Sequence, residues 1–247
     1  MKYELYYWPY IQGRGEFVRL ALEESGADYN DVARGREEDG EGVPALMAIM
    51  TGKDVDRPPY APPFLKAGKV IVAQTANILM YLAPKLGLVP SSEANRVWAN
   101  QLQLGITDFV LEAHDTHHPI SNALYYEDQK PESKKRSELF IKNRIPKYLG
   151  WYERVLERNT SSTKGKRGGW LIGAKLSYPD LSVFQMVEGL RYAFPDAMKK
   201  AEKDSPRVVE LRDKVAERPN IKAYLASPRR IPFNEKGIFR RYPELDS

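Results

Sequence analysis

The chain has 247 residues, a formal net charge of +5 and no cysteine. The absence of cysteine excludes disulfides, thiolate metal sites and a cysteine nucleophile, and it fits a reducing compartment. No segment has the roughly 18 consecutive apolar residues of a membrane span, and residues 1–10 lack a secretory signal pattern. We therefore expect a cytoplasmic protein with no membrane partner, built as two domains or one large domain.

The positive charge is concentrated in the second part of the chain. Residues 1–88 hold 10 Lys and Arg against 12 Asp and Glu, and the remainder holds 28 against 21. Such an excess is usually a solvated surface. A nucleic-acid face would require a recognisable motif or aromatic residues among the charges. Neither is present in the sequence, so no nucleic-acid partner is expected.

The first 84 residues alternate between strand and helix patterns. Aromatic and branched side chains predict a strand over residues 3–7. Helical spacing over residues 15–25, followed by Gly26, predicts a helix with a clear end. A second strand is expected over residues 29–32, and this order favours an α/β layer.

The same region continues with a predicted hairpin. A short helix is expected over residues 45–50, and strands over 64–66 and 70–73 flank the turn signal Ala67-Gly68. Helical spacing then resumes, and Pro84 is expected to disturb it. A linker is predicted over residues 85–92.

From residue 93 onward the pattern is helical. Apolar residues recur at helical spacing in several stripes. Ser177 and Asp180 have the spacing of a capping box at a helix start, and Pro219 opens a further helix. Residues 162–169 are expected to form a flexible loop, and the tail after Pro228 has no regular pattern.

Several local motifs occur in a characteristic order. They are Tyr7-Trp8-Pro9 followed by Gly13-Arg14 and Arg19, Pro62-Pro63-Phe64-Leu65, Gln74-Thr75-Ala76-Asn77-Ile78, the Ser177–Asp180 box, and Arg218–Pro228. Together they resemble the cytosolic glutathione transferases over nearly the whole chain, and the tyrosine-type pi, mu and sigma classes most of all.

The resemblance implies an α/β plus all-α fold. A thioredoxin-like glutathione-binding domain over residues 1–84 would precede an all-helical substrate-binding domain over residues 93–247, and the protein would form a homodimer. The implied function is conjugation of glutathione, as co-substrate, to a small hydrophobic electrophile. A glutathione-dependent peroxidase, isomerase or etherase, and a non-catalytic binding protein for glutathione or apolar ligands, are the alternatives.

The chemistry requires a group that favours the thiolate of glutathione. A free thiol has a pKa near ~8.5, and a hydrogen-bond donor to the sulfur lowers it. The resemblance assigns this donor to Tyr7, at the end of the first strand, and the following helix adds positive potential at its N-terminus. Tyr10 is the rival donor.

Further site residues follow from the resemblance. Gln74 and Thr75 would hold the γ-glutamyl end of glutathione at a helix N-terminus. Arg14 would bind a carboxylate, unless it forms a surface ion pair with Glu16. Lys53 and Arg57 fall where the family often supplies a further cation.

Pro62 would contact the cysteinyl backbone of glutathione ahead of a cis bond to Pro63. Because Pro62 has no N–H, one of the two hydrogen bonds usual in the family cannot form. Either glutathione binds more weakly, or water or a side chain replaces the bond. Asp108 lies 33 residues after Thr75, the spacing at which the pi class reaches across the dimer to the glutathione ammonium.

The second substrate pocket is expected to use Tyr10 and His114, and the tail near Phe233 and Phe239. His114, His117 and His118 form a cluster in the sequence, and His114 and His118, four residues apart, could share a helix face. A zinc site requires further ligands, so no metal is expected.

Overall fold

The computed structural model describes residues 2–53, 55–162 and 169–246. Residues 163–168 of the predicted flexible loop fall outside this range. In the described part, four strands and three helices precede seven further helices. The strands are β1 (Tyr3–Tyr6), β2 (Tyr29–Asp31), β3 (Phe64–Ala67) and β4 (Val70–Ala73). The first three helices are α1 (Gly15–Ser25), α2 (Gly42–Thr51) and α3 (Thr75–Leu86).

Among the helices that follow, α4, α6 and α7 are the longest. They are α4 (Glu93–His114), α5 (Lys130–Leu139), α6 (Ile145–Ser162), α7 (Tyr178–Ala193), α8 (Pro195–Ala201), α9 (Pro206–Ala216) and α10 (Pro219–Leu225). A π-helical turn over Phe140–Arg144 connects α5 to α6. None of the described helices is long and apolar enough to cross a membrane.

The four strands form one mixed sheet in the order β2-β1-β3-β4. Strand β1 pairs in parallel with β2 and antiparallel with β3, and β3 pairs antiparallel with β4. The predicted hairpin is thereby confirmed. The sheet, with α1 and α3 packed beside it, is a thioredoxin-like arrangement, and the expected α/β plus all-α fold is confirmed.

Three local expectations need adjustment. The second strand ends at Asp31 because Val32 begins a 3-10 turn. Helix α2 is longer than expected, since it starts at Gly42 rather than at residue 45. Pro84 does not end α3, which continues to Leu86. The missing N–H of Pro84 falls in the last turn, where one lost hydrogen bond does little to unwind a helix.

The largest buried cluster joins the sheet-bearing part to the helical part. Phe17 and Leu20 of α1 and Leu79 of α3 belong to the same apolar cluster as Leu102 and Ile106 of α4. Two smaller clusters lie against the sheet. Helices α1 and α3 therefore pack on both parts of the molecule and connect their cores.

The predicted capping box at α7 is confirmed. The Asp180 carboxylate accepts hydrogen bonds from the backbone N–H of Ser177 at 2.7 Å and of Leu171 at 2.8 Å. Asp180 is completely buried, and this burial raises the pKa of its carboxyl to about 6. The box fixes the start of a helix that is buried along nearly its whole length.

Candidate functional site

Tyr7 comes directly after β1 and lies under the N-terminus of α1. Its side chain is only 4% exposed, and its hydroxyl oxygen accepts the backbone N–H of Arg14 at 2.9 Å. Among the described residues, the hydroxyl proton has no acceptor. Burial raises the pKa of Tyr7, which the Arg14 N–H partly opposes, so the phenol stays neutral and able to donate.

Two glycines allow this approach of the ring to the helix. A Cβ on Gly13 would lie 2.0 Å from the Tyr7 hydroxyl, and one on Gly15 would lie 2.5 Å from the ring. Gly13 also has a φ of 45°, which residues with a side chain rarely adopt. The Gly-x-Gly spacing around Arg14 is therefore a packing requirement of the Tyr7 ring.

A second helix N-terminus lies next to the first. Gln74 precedes α3 with a φ of 70°, and no side chain caps the helix there. The Thr75 hydroxyl donates to the Arg14 carbonyl at 3.3 Å. A residue with a side chain at positive φ carries strain of about 1 to 3 kcal/mol, which is common at functional sites.

These two helix starts open onto a cavity of about 350 Å³ between α3 and α4. Arg14, Gln74 and Thr75 line one side, and α4 lines the other. The α4 wall consists of Asn100, Gln103, Leu104, Ile106, Thr107 and Val110. Three of the predicted glutathione-binding residues therefore share one cavity with backbone N–H groups, which suit a carboxylate.

Gln103 is a residue of this wall that the sequence did not single out. It is 1% exposed, yet its side-chain Oε1 has no hydrogen-bond partner among the described residues. Such buried, unpartnered atoms are uncommon in proteins. In the sequence, Gln103 is recognisable only as a polar side chain between the apolar residues Leu102 and Ile106. That pattern alone does not indicate a ligand-binding residue.

The other predicted site residues do not line this cavity. Lys53 is exposed after α2, Tyr10 is 77% exposed, and Pro62 is half-buried beside the sheet. The expected cis bond between Pro62 and Pro63 is present. Asp108 is exposed on α4, next to the cavity residue Thr107.

The alternative pairing of Arg14 with Glu16 is wrong. Glu16 is fully buried and binds Arg19 at 3.3 Å and Arg230 at 2.5 Å. It also accepts the Tyr224 hydroxyl at 2.6 Å. The side chain of Arg14 forms no hydrogen bond or ion pair within the described ranges, so its guanidinium is available to a ligand.

The Glu16 carboxylate belongs to a wider polar junction between α1 and the tail. Arg19 donates to Asp31 at 2.7 Å and to the carbonyls of Ile11 and Gln12, each at 3.4 Å. Its guanidinium lies 5.7 Å from the centre of the Tyr7 ring. This junction holds the loop that supplies the Arg14 N–H to Tyr7.

The tail does not form the expected second pocket at Phe239. That ring is buried against Gly189, where a Cβ would lie 2.3 Å from it. Phe233 stacks on Tyr192 with ring centres 5.0 Å apart. Asn234 donates to the Tyr10 carbonyl at 3.0 Å, so the tail braces the loop that carries Tyr10.

His114 ends α4 and lies against the two histidines of the following turn. His114 is half-buried and contacts Asp115 through Nδ1 at 3.2 Å. Burial and the nearby Arg240 lower the pKa of His117 to about 2 and that of His118 to about 4. All three rings are therefore neutral near pH 7, since burial also lowers the pKa of His114.

Comparison with known proteins agrees with this arrangement. Residues 114–228 match the family model described as the glutathione S-transferase C-terminal domain. The chain is 25% identical to a glutathione S-transferase of Plasmodium falciparum, with 90% of this chain and 94% of that protein covered. It is 24% identical to the Xenopus laevis glutathione S-transferase P 1, with coverages of 92% and 93%.

The solved structure of the pi-class glutathione S-transferase of Onchocerca volvulus has the same fold. It superposes with a TM-score of 0.66 at 20% identity and covers 91% of this chain and 92% of that chain. The sheet and the helices behind it define a thioredoxin-like protein with a C-terminal helical part. Taken with the sequence relatives, the chain is similar to glutathione S-transferases in sequence over most of its length and in fold.

Proposed function

We propose that the protein is a glutathione S-transferase that activates the thiol of glutathione through the Tyr7 hydroxyl and conjugates it to a small hydrophobic electrophile. One observation carries the proposal. The Tyr7 oxygen accepts the Arg14 N–H at 2.9 Å, and this leaves its proton for a ligand. A donor held in place by the fold favours the thiolate without having to reorganise during the reaction.

The raised pKa of Tyr7 explains why its hydroxyl acts as a hydrogen-bond donor and not as a base. Burial raises the pKa of Tyr7, so the hydroxyl keeps its proton when glutathione loses the thiol proton to solvent. The N-terminus of α1 adds positive potential next to the developing thiolate. Both effects lower the pKa of the bound thiol toward neutrality.

The cavity between α3 and α4 provides places for the charged ends of glutathione. The uncapped N–H groups of α3 behind Gln74 and Thr75 suit the γ-glutamyl carboxylate, and the unpaired Arg14 guanidinium suits a carboxylate in a two-pronged geometry. The buried Oε1 of Gln103 suits an N–H donor of the peptide. Lys53 and Pro62 are assigned to the outer side of the same ligand, where Pro62 offers only its carbonyl.

The proposed assembly is a homodimer formed through α4. Val97, Leu104 and Leu111 recur every seven residues and are 63%, 50% and 49% exposed, which is an apolar stripe of the kind that marks a protein interface. Asp108 lies within this stripe, one turn from Leu104 and Leu111. A second copy seated there would bring Asp108 to the partner's glutathione ammonium.

The catalytic proposal is tested by replacing each tyrosine in turn. Tyr7→Phe is expected to lower turnover by about 10- to 1000-fold, the usual effect of losing one key donor, with little change in glutathione affinity. The lower limb of the pH–rate profile should move to higher pH, since the thiol loses its stabilising donor. Tyr10→Phe is the matched control and should retain full activity.

The assay uses an aryl halide, an enone and an organic hydroperoxide with glutathione. Full activity in Tyr7→Phe and loss in Tyr10→Phe would reassign the thiol donor to Tyr10. Reduction of the hydroperoxide without conjugation of either electrophile would reassign the reaction to a peroxidase. Tight glutathione binding without any turnover would indicate a binding protein.

The assembly is tested separately with Leu104→Glu. A charge in the apolar stripe should convert a dimer into a monomer in light scattering. Asp108→Asn should leave the dimer intact and raise KM for glutathione with kcat nearly unchanged, the pattern of lost ground-state binding. A wild-type monomer at micromolar concentration would exclude the role of Asp108 across an interface.

A further inference from the structure

The end of α4 and the turn after it bring together every histidine of the chain. There are three histidines in the sequence, and ring nitrogens of His114, His117 and His118 all lie within 4.8 Å of one another. Their ring centres are 4.8 to 5.1 Å apart. The proposed activation of the glutathione thiol by Tyr7 does not involve the rings of His114, His117 and His118.

Hydrogen bonds to two of the rings determine which nitrogens are free. His117 Nε2 lies 2.7 Å from the carbonyl oxygen of Ile238. A carbonyl can only accept, so Nε2 carries the proton and Nδ1 has a free lone pair. His114 Nδ1 lies 3.2 Å from the Asp115 carboxylate, and the other nitrogen of that neutral ring is free in the same way. Backbone carbonyls and carboxylates behind histidines are the usual partners of metal-binding imidazoles.

The third ring faces the second. His118 Nδ1 lies 2.5 Å from His117 Nδ1, so these two nitrogens share a single proton. A metal ion can take the place of that proton when the proton moves to Nε2 of His118, because both Nδ1 lone pairs are then available to the metal. Both rings stay neutral in this step, so no net proton is released and no oxidant or reductant is involved.

We propose that His114, His117 and His118 form a binding site for a first-row divalent transition-metal ion of the Zn²⁺ class. Three protein ligands leave a fourth position for water or an anion. Two nitrogens around a tetrahedral zinc ion are about 3.3 Å apart for bonds near 2.0 Å. Rotations of the rings by about 1 Å at the nitrogens satisfy this geometry, and His118 lies partly at the surface, where such a rotation is possible.

The charges around the site select the kind of ion. Arg240 and Arg14 both act on the cluster and repel a cation, and Asp115 is the carboxylate that attracts one. Binding therefore depends on bonds to imidazole rather than on negative charge. Zn²⁺, Co²⁺, Ni²⁺ and Cu²⁺ form such bonds, whereas Mg²⁺ and Ca²⁺ prefer oxygen ligands.

The experiment titrates the untagged, full-length protein with ZnCl₂ in a calorimeter and with CoCl₂ in a visible spectrometer, without glutathione. The chain has no cysteine and no other histidine, so any imidazole-bound metal must occupy this cluster. We expect one equivalent of Zn²⁺, a cobalt d–d spectrum without thiolate bands, and no binding of Mg²⁺. The result is independent of the transferase assay, so failure of either proposal leaves the other standing.

Variants of the two less buried rings identify the ligands. His114→Gln and His118→Gln should each weaken Zn²⁺ binding by at least about 10-fold, and both are checked for folding by circular dichroism. Asp115→Asn should weaken binding by a smaller factor, and the exposed Asp204→Asn should not change it. If a histidine variant does not fold, Asp115→Asn decides the question on its own.

Arg240→Gln separates a cation site from an anion site. Removing this positive charge should tighten Zn²⁺ binding several-fold, whereas it would weaken the binding of an anion. The proposal is overturned by the absence of Zn²⁺ binding at millimolar concentration. It is equally overturned by unchanged binding in the double variant His114→Gln/His118→Gln, or by weaker Zn²⁺ binding in Arg240→Gln.

Discussion

The two sides of α1 bond their polar groups to different extents. On the side toward the tail, Glu16 binds Arg19, Arg230 and Tyr224, and Gln12 bonds to Gln185 at 2.7 Å, while Arg19 Nη2 and Asp31 Oδ1 have no partner among the described residues. On the side toward α3 and α4, the Arg14 guanidinium and Gln103 Oε1 have no partner in the described part of the chain, and neither has the Tyr7 hydroxyl proton at the start of α1.

This difference indicates which polar groups stabilise the fold and which are available to a ligand. A polar network whose members bond to one another stabilises one conformation. Buried polar atoms without a partner carry a desolvation cost that a ligand can remove. The junction therefore holds the loop in place, and the cavity side of the same helix is left ready for glutathione. Variants on each side should change different measured quantities.

The largest expected effect comes from breaking the junction with Glu16→Ala. Removing one partner of a buried ion pair leaves Arg230 without its carboxylate and Arg19 with Asp31 alone, and such a loss costs about 3 to 5 kcal/mol. The free energy of unfolding in urea measures it. Glu38→Ala, in the exposed pair with Arg36 at 2.6 Å, is the control and should cost about 0 to 1 kcal/mol. Equal losses in the two variants would contradict a structural role for the junction.

Arg14→Met is expected to have a smaller effect, which concerns glutathione affinity and not the free energy of unfolding. A hydrogen bond to a charged group contributes about 1.5 to 3 kcal/mol, so the Kd for glutathione should rise by about 10- to 150-fold. The unfolding free energy should stay the same, because the guanidinium has no partner to lose. Calorimetric titration with glutathione measures the change, and Arg36→Met is the matched control. A loss of stability without a loss of affinity would place Arg14 with the junction.

The smallest effect is expected for Gln103→Met, where stability and binding should move in opposite directions. The variant removes a buried oxygen without a partner, so the unfolding free energy should stay equal or rise by up to about 1 kcal/mol. Glutathione binding should weaken by about 0.5 to 1.5 kcal/mol. Gln101→Met, on the exposed face of α4, should change neither. If Gln103→Met destabilises the protein and leaves binding unchanged, the amide is a packing group.

Local patterns in the sequence predicted most of the fold. The hairpin around Gly68, the end of α1 at Gly26 and the capping box at Ser177 each depend on residues a few positions apart, and all three are present. The length of α2 and the passage of α3 through Pro84 were not predicted, because tertiary packing decides how far a helix continues. The π-helical turn before α6 has no signal in the sequence pattern.

The candidate site was predictable only in part. Tyr7, Arg14, Gln74 and Thr75 were identified from motifs, and the structure brings them to two adjoining helix starts. Glu16 and Arg230 are 214 positions apart, so no local pattern could show that Glu16 was already engaged and Arg14 free. Gln103 was missed for a similar reason, since its Oε1 stands out only because no described residue bonds to it.

The shared core has a consequence for how proteins of this kind can recombine. Phe17, Leu79 and Leu102 come from three helices on both sides of the 85–92 segment and pack in one cluster. A hybrid that joined residues 1–86 of this chain to the helical half of a relative would combine two surfaces that were never selected to fit. Side chains that are too small or too large for a packed core both destabilise the protein. We therefore expect α1, α3 and α4 to be inherited as one unit, even though the chain between α3 and α4 is the natural place for a crossover in the gene.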